Sequence, residues 1–151
     1  MRLPEPLFLV INPIMRALLR SPLHFVLSSS LMLISFTGRQ CGRHYTTPVR
    51  YVRVDGAVRC FTSAKNRWWR NLRGGATVSL LIAGKEAQYQ AQAINDDPPR
   101  IRAALQHYLS LFPADAAYHE IRLNRDRTLV AADLERASHE AVVVEARLQQ
   151  A

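Results

Sequence analysis

The chain has 151 residues, an apolar share of 48% and a net charge of +8 at pH 7. That length can bury a core without disulfide or metal staples, and that composition excludes a disordered chain. The two cysteines, Cys41 and Cys60, have no metal-like spacing and are too few for a disulfide scaffold, so free thiols in a reducing, cytoplasmic setting are expected, with a single disulfide as the alternative.

The charge is unevenly placed. Residues 38–75 carry nine basic side chains against one acid, Asp55, whereas the rest of the chain balances eleven against eleven. A positive field focused in one quarter of the chain attracts an anion. Both tryptophans, Trp68 and Trp69, lie inside that quarter.

In chain order, the apolar runs at residues 7–14 and 23–36 are shorter than the roughly 20 residues a bilayer span needs. No small-residue cleavage site follows them, so no signal peptide is expected. The apolar, basic N-terminal end leaves loose contact with a membrane surface open. Asn12 before Pro13 reads as a capped helix start, with the helix running to about residue 19 and a second short helix over 22–28. An N-terminal helical segment of about 30 residues therefore leads into one domain spanning 1–151. Residues 31–37 (LMLISFT) predict a buried strand, and residues 38–43 (GRQCGR) a turn with two glycines.

Residues 46–54 and 57–63 predict two strands joined by Asp55-Gly56, a strong hairpin signal. A two-residue turn pairs Val54 with Ala57, Val52 with Arg59, Tyr51 with Cys60 and Arg50 with Phe61. One face then carries Val49, Tyr51, Val58 and Cys60, and the other Val52, Val54 and Phe61. Both faces are partly apolar, as in a barrel wall whose second surface a partner or ligand covers. Residues 77–82 and 86–94 predict another strand pair. Asp97-Pro98-Pro99 opens a helix to about residue 111, with an apolar stripe at Ile101, Leu105, Tyr108 and Leu109. A helix over 129–137 and a last strand over 141–148 complete the chain. Six strands and few helices predict a mainly β protein, a small barrel with flanking helices.

Two segments are candidates for chemistry. In residues 38–51 (GRQCGRHYTTPVRY), two glycines let backbone amides converge while Arg39 and Arg43 fork onto phosphate or carboxylate oxygens. The alternative is a solvated turn with ordinary surface arginines. In residues 63–75 (SAKNRWWRNLRGG), the tryptophans could stack bases while arginines hold phosphates, although no nucleic-acid motif surrounds them. Adjacent rings cannot both face inward, so one packs in the core and the other faces a ligand or subunit. Tyr45 and Tyr118 are candidate proton donors, because a phenol can protonate a reduced acceptor. The five histidines show no paired metal spacing.

G-R-x-x-G-R-x-x-x-x-P-V, then a D-G hairpin, then W-x-N-L about twenty residues on, resembles the deazaflavin-dependent nitroreductase family of split β-barrels. The resemblance runs from about residue 18 to 82, with a weaker echo at residues 112–118 (FPADAAY). It implies a six-stranded split β-barrel that binds the deazaflavin coenzyme F420 and passes hydride to nitroaromatics, quinones or similar small acceptors. It puts Arg39 and Arg43 at the anionic cofactor tail. Thr46, Thr47, Pro48 and Val49 would run beside the phosphate and ring, and Ser63, Ala64 and Lys65 would form the loop over it. Trp69, Asn71 and Leu72 match W-x-N-L, and Tyr118 matches a position near the substrate.

Two departures fall on the cofactor loop: Cys41 replaces the family's serine, and SAKNRW replaces the usual Gly-Gly and Pro before the tryptophan. FMN or haem is the alternative ligand, and a nucleic-acid-binding module the third reading. Split barrels commonly pair, and the second hairpin face needs covering, so a homodimer is expected.

Overall fold

The computed structural model describes residues 31–39 and 42–149, so the two expected N-terminal helices and Cys41 lie outside the described residues. Six strands form where β-branched and aromatic residues run together: β1 (Leu31–Thr37), β2 (His44–Val54), β3 (Ala57–Ser63), β4 (Ala76–Ile82), β5 (Lys85–Ile94) and β6 (Ala141–Leu148). They close into an antiparallel barrel in the order β1-β2-β3-β6-β5-β4, with β4 returning to β1. Asp55 and Gly56 both take positive φ, 49° and 77°, the geometry of a two-residue hairpin turn matched to strand twist. The pairs Val54–Ala57, Val52–Arg59 and Tyr51–Cys60 form as the turn dictates.

Strand alternation divides the apolar residues into two clusters. Met32, Ile34, Phe36, Tyr51, Val58, Cys60, Val78, Leu80, Val142 and Val144 point into the barrel. Val52 and Val143 point outward, beneath helix α1 (Pro98–Leu111) and helix α2 (Ala131–Glu140), and pack with Ile101, Leu105, Tyr108, Leu109 and Leu134. The second face of the first hairpin is therefore covered by the chain's own helices, with Val54 and Phe61 packed at the edge of that cluster. The argument for a dimer from an uncovered hairpin face does not hold. Asp97 caps α1 by accepting from the Arg100 N–H. Helix α2 starts two residues later than its sequence suggests, because Leu129 pairs with Leu123 in an isolated bridge.

One expected pair does not form. The β2–β3 ladder stops at Tyr51–Cys60. Beyond it, β2 continues against β1 alone, from Arg50 opposite Leu31 to His44 opposite Thr37, while β3 continues against β6 to Ser63. Arg50 turns instead to Asp115 at 3.6 Å and stacks its guanidinium over Phe112 at 4.8 Å. Phe61 packs on Tyr108, with ring centres 4.7 Å apart. Both partners belong to α1 and the 3-10 turn Pro113–Ala117, and these contacts draw the strands apart. The barrel is split there.

Candidate functional site

The parting of β2 from β3 leaves residues 44–50 of β2 without a strand partner on that side among the described residues. An edge of this kind presents backbone donors and acceptors to whatever lies along it. At the same barrel end come the 38–43 turn, the 64–67 loop, the 3-10 helix Trp68–Leu72 and the glycines before β4. The hairpin acid Asp55 is at the opposite end. The turn closes through the Gly38 N–H to the Arg43 carbonyl and the Gly42 N–H to the Gly38 carbonyl, at 2.7 and 2.9 Å. Gly42 has a φ of +68°, which a residue with Cβ adopts only with strain.

Arg39 locks this turn to the tryptophan loop. Its backbone N–H donates to Asn71 Oδ1 at 2.9 Å, and its guanidinium donates to the carbonyls of Arg73 and Gly75. Asn71 in turn donates from Nδ2 to the Trp68 carbonyl at 3.0 Å. The N and L of W-x-N-L are thus framework: Asn71 ties two loops, while Leu72 and Trp69 plug the barrel end at 1% and 2% exposure. The guanidinium of Arg73 lies over the Trp69 ring at 4.9 Å, and that of Arg70 at 5.8 Å. Trp69 Nε1 is buried without a hydrogen-bond partner. Trp68 is half-buried and stacks on Phe36 at 5.8 Å, and Phe36 stacks on Tyr45 at 5.7 Å from its other neighbour. The two tryptophans divide as adjacent rings must: one is core, the other lines the mouth.

Strand pleat separates the four β2 candidates. Thr47 and Val49 pair with Ile34 and Met32 on the inner face, while Thr46 and Pro48 pair with Ser35 and Leu33 on the outer face. Thr46 shares a 2.9 Å hydrogen bond with Ser35. Their side chains cannot all meet one ligand, although the strand edge between them can.

The 63–66 loop is fixed from three sides. Ser63 Oγ accepts from the Lys65 N–H at 3.2 Å, the Ala64 N–H donates to the Glu140 carbonyl at 2.8 Å, and Asn66 N–H donates to the Ser63 carbonyl at 3.0 Å. Ser63 is buried and also lines a water-sized cavity with His119, Ala137, Glu140 and Ala141. Lys65 and Arg43 are exposed. Tyr118 follows the Pro113–Ala117 turn, and its hydroxyl accepts from Asn66 Nδ2 at 3.1 Å. Its ring meets His119 edge-on at 4.9 Å. Arg39 and Asn71 are therefore in contact, and the loop carrying Ser63, Ala64 and Lys65 reaches Tyr118 through Asn66. Tyr45 belongs to the aromatic row instead.

Sequence reasoning missed Asn66, Asp115 and Glu145. Tyr108 donates to Asp115 at 2.5 Å, and burial followed by that bond holds its phenol above the ordinary range. Glu145 accepts from Arg59 at 3.0 Å and Arg100 at 2.9 Å. The basic surplus of residues 38–75 is thereby divided. Arg50 and Arg59 are ion-paired, and Arg39 is held by carbonyls. Arg43, Lys65, Arg70 and Arg73 stand around the open end. Burial pushes the Cys60 thiol up to about 12, so it is an inert core group.

Residues 23–132 match the model of the F420H(2)-dependent quinone reductase family. The chain belongs to that family. It is a deazaflavin-dependent reductase, and the bound coenzyme supplies the hydride. No curated protein matches the chain. Among solved structures, a domain-swapped dimer is 18% identical with a TM-score of 0.53, covering 93% of this chain and 99% of that one. An F420 reductase is 15% identical with a TM-score of 0.45, covering 89% and 93%. A FAD and heme binding protein from Mycobacterium smegmatis is 14% identical with a TM-score of 0.46, covering 87% and 73%. The first of these likenesses supports the split-barrel fold.

The residues present fit such a coenzyme by their donor chemistry. A strand edge suits a flat heterocycle with alternating donors and acceptors, and exposed cations suit a phosphate and carboxylate tail. Among the described residues, no helix is long and apolar enough to cross a membrane.

Proposed function

We propose that this family member reduces a small quinone-type acceptor, with the coenzyme held along the open edge of β2 and its anionic tail on Arg43 and Lys65. The observation that carries the reading is the parting of β2 and β3 after Tyr51–Cys60, which opens the barrel wall beside these exposed cations. Thr46, Thr47, Pro48 and Val49 border the ring through their strand edge, and Ser63, Ala64 and Lys65 form the loop beside it. Arg39, Trp69 and Asn71 hold the frame. Tyr118 delivers the proton that accompanies the hydride, and Tyr45, stacked with Phe36, belongs to the aromatic wall of the mouth. A nitroaromatic is the second acceptor class for the same hydride. A homodimer belongs to this proposal as well, since a domain-swapped dimer shares the fold.

The test is steady-state oxidation of the reduced deazaflavin with a benzoquinone and, separately, a nitroaromatic. The proposal expects turnover with the quinone at the higher kcat/KM, and a loss of about 100-fold in kcat for Tyr118→Phe, the scale of one general acid. Turnover with neither acceptor, or Tyr118→Phe at wild-type rate, contradicts it.

A further inference from the structure

Residues 112–118 (FPADAAY) bridge the split, and the tie between this segment and β2 has no part in the coenzyme frame. Each of the two parted strands holds one end of the segment. On the β2 side, Arg50 reaches Asp115 at 3.6 Å and lays its guanidinium over the Phe112 ring at 4.8 Å. Arg50 is the first β2 residue past the last β2–β3 pair, Tyr51–Cys60, and strand alternation puts it on the outer face with Thr46 and Pro48. On the β3 side, Asn66 donates from Nδ2 to Thr62 Oγ1 at 2.7 Å and to the Tyr118 hydroxyl at 3.1 Å. The segment is therefore a strap over the outer side of the gap.

Between its anchors the strap is stiff. The Asp115 N–H donates to the Phe112 carbonyl at 3.0 Å, and the Tyr118 N–H to the Asp115 carbonyl at 3.1 Å. Ala116 is buried. Tyr108 of α1 donates to the Asp115 carboxylate at 2.5 Å, so the strap stays on α1 independently of β2. Arg50 is thus the contact through which β2 is held at a set distance from a fixed body. Hydride transfer requires the reacting atoms to approach within about 3.5 Å, so an acceptor that meets a coenzyme on the β2 edge must fit the gap that the strap spans.

We propose that Arg50 and Asp115 are positioning residues for acceptor selection: their ion pair sets the spacing of β2 from the 112–118 strap, and with it the width of acceptor the gap admits. The proposal rests on the coenzyme lying along the β2 edge. It predicts that a narrow acceptor is favoured over a wide one only while the pair is intact.

The experiment measures kcat and KM for a benzoquinone and for the wider naphthoquinone in wild type, Arg50→Gln, Asp115→Asn and the double variant. Asn at 115 keeps an oxygen to accept from Tyr108 and loses only the charge. Both acceptors are assayed on one preparation, so the ratio of their kcat/KM values does not depend on the fraction folded, and a merely structural role leaves it unmoved. We expect either single variant to shift that ratio toward the naphthoquinone by at least about threefold, within the roughly fivefold that a part-exposed ion pair can supply. The shift should lie in KM, with the affinity for oxidised deazaflavin, read by tryptophan quenching, within about twofold of wild type. The double variant should shift the ratio no further than either single one, because the pair acts as a unit. Arg50→Lys, which keeps the charge, should restore most of the wild-type ratio.

A smaller shift in both single variants, or shifts that add in the double variant, overturns the proposal. Failure of the reading beneath it shows separately, in wild type, as no turnover with either quinone.

Discussion

The two sides of the barrel are built on opposite principles. On the covered side, β3 and β6 pair along seven residues and lie beneath α1 and α2, with apolar side chains on both faces. Its charges are matched: Glu145 takes two arginines, and Asp133 takes Arg122. On the open side, β2 has lost its neighbour, aromatic rings are half-buried, and among the described residues Arg43, Lys65, Arg70 and Arg73 have no carboxylate paired with them. Covering and pairing give stability, whereas an unpaired strand edge and unmatched charge are liabilities unless a ligand uses them. The contrast is the ground on which we propose binding on the open side, without recourse to any catalytic constellation.

The contrast can be broken at its hinge. Trp69 plugs the barrel interior beneath the open end, and Trp69→Ala should cost about 3–5 kcal/mol of stability, the range for a buried aromatic. Trp68→Ala, which removes a half-buried ring, should cost less than half of that by urea unfolding. Equal costs would mean that the two rings are not divided between core and mouth. Arg39→Ala removes donors to the carbonyls of Arg73 and Gly75 and should cost about 1 kcal/mol. Amide exchange should quicken in residues 71–75 and not in α1 or β6.

The covered side supplies a pH test. Hydrogen bonds from Arg122 hold the Asp133 carboxyl down to about 2. This folded value lies below the unfolded value of about 3.9. The contact therefore stabilises fully above that value and is lost as pH falls toward 2. The Tm difference between wild type and Asp133→Asn should be constant above about pH 5 and close between about pH 4 and 2; a constant gap to pH 2 would contradict the pairing. The smallest effect expected is none: in a Cys41→Ser background, Cys60 should resist thiol reagents at pH 8 until the protein unfolds.

The covered side was also the more legible in sequence. Asp55-Gly56 fixed the first hairpin's register, Asp97-Pro98-Pro99 marked the start of α1, and the apolar stripe of Ile101, Leu105, Tyr108 and Leu109 packs as its spacing requires. The split was not legible. It depends on Arg50 meeting Asp115 and on Phe61 meeting Tyr108, and neither pairing leaves a local pattern. The charge count had the same weakness. It located the basic surplus but could not show that Asp115 and Glu145, far along the chain, neutralise Arg50 and Arg59. Asn66 and Tyr118 meet across 52 residues, so the loop that departs from its family was visible while its partner was not.

The central claim is that the open side holds the coenzyme, and fluorescence titration tests it most directly. Oxidised deazaflavin, and FMN for comparison, should be added to wild type, to Arg43→Ala with Lys65→Ala, and to Arg102→Ala with Arg125→Ala as a charge-matched control. The account predicts micromolar tryptophan quenching by the deazaflavin and weaker binding of FMN. It predicts at least about tenfold loss of affinity in the open-side pair, the scale of one charge-assisted hydrogen bond, and no change in the control. Equal affinity in the two double variants, or tight FMN binding without a response to deazaflavin, would contradict it.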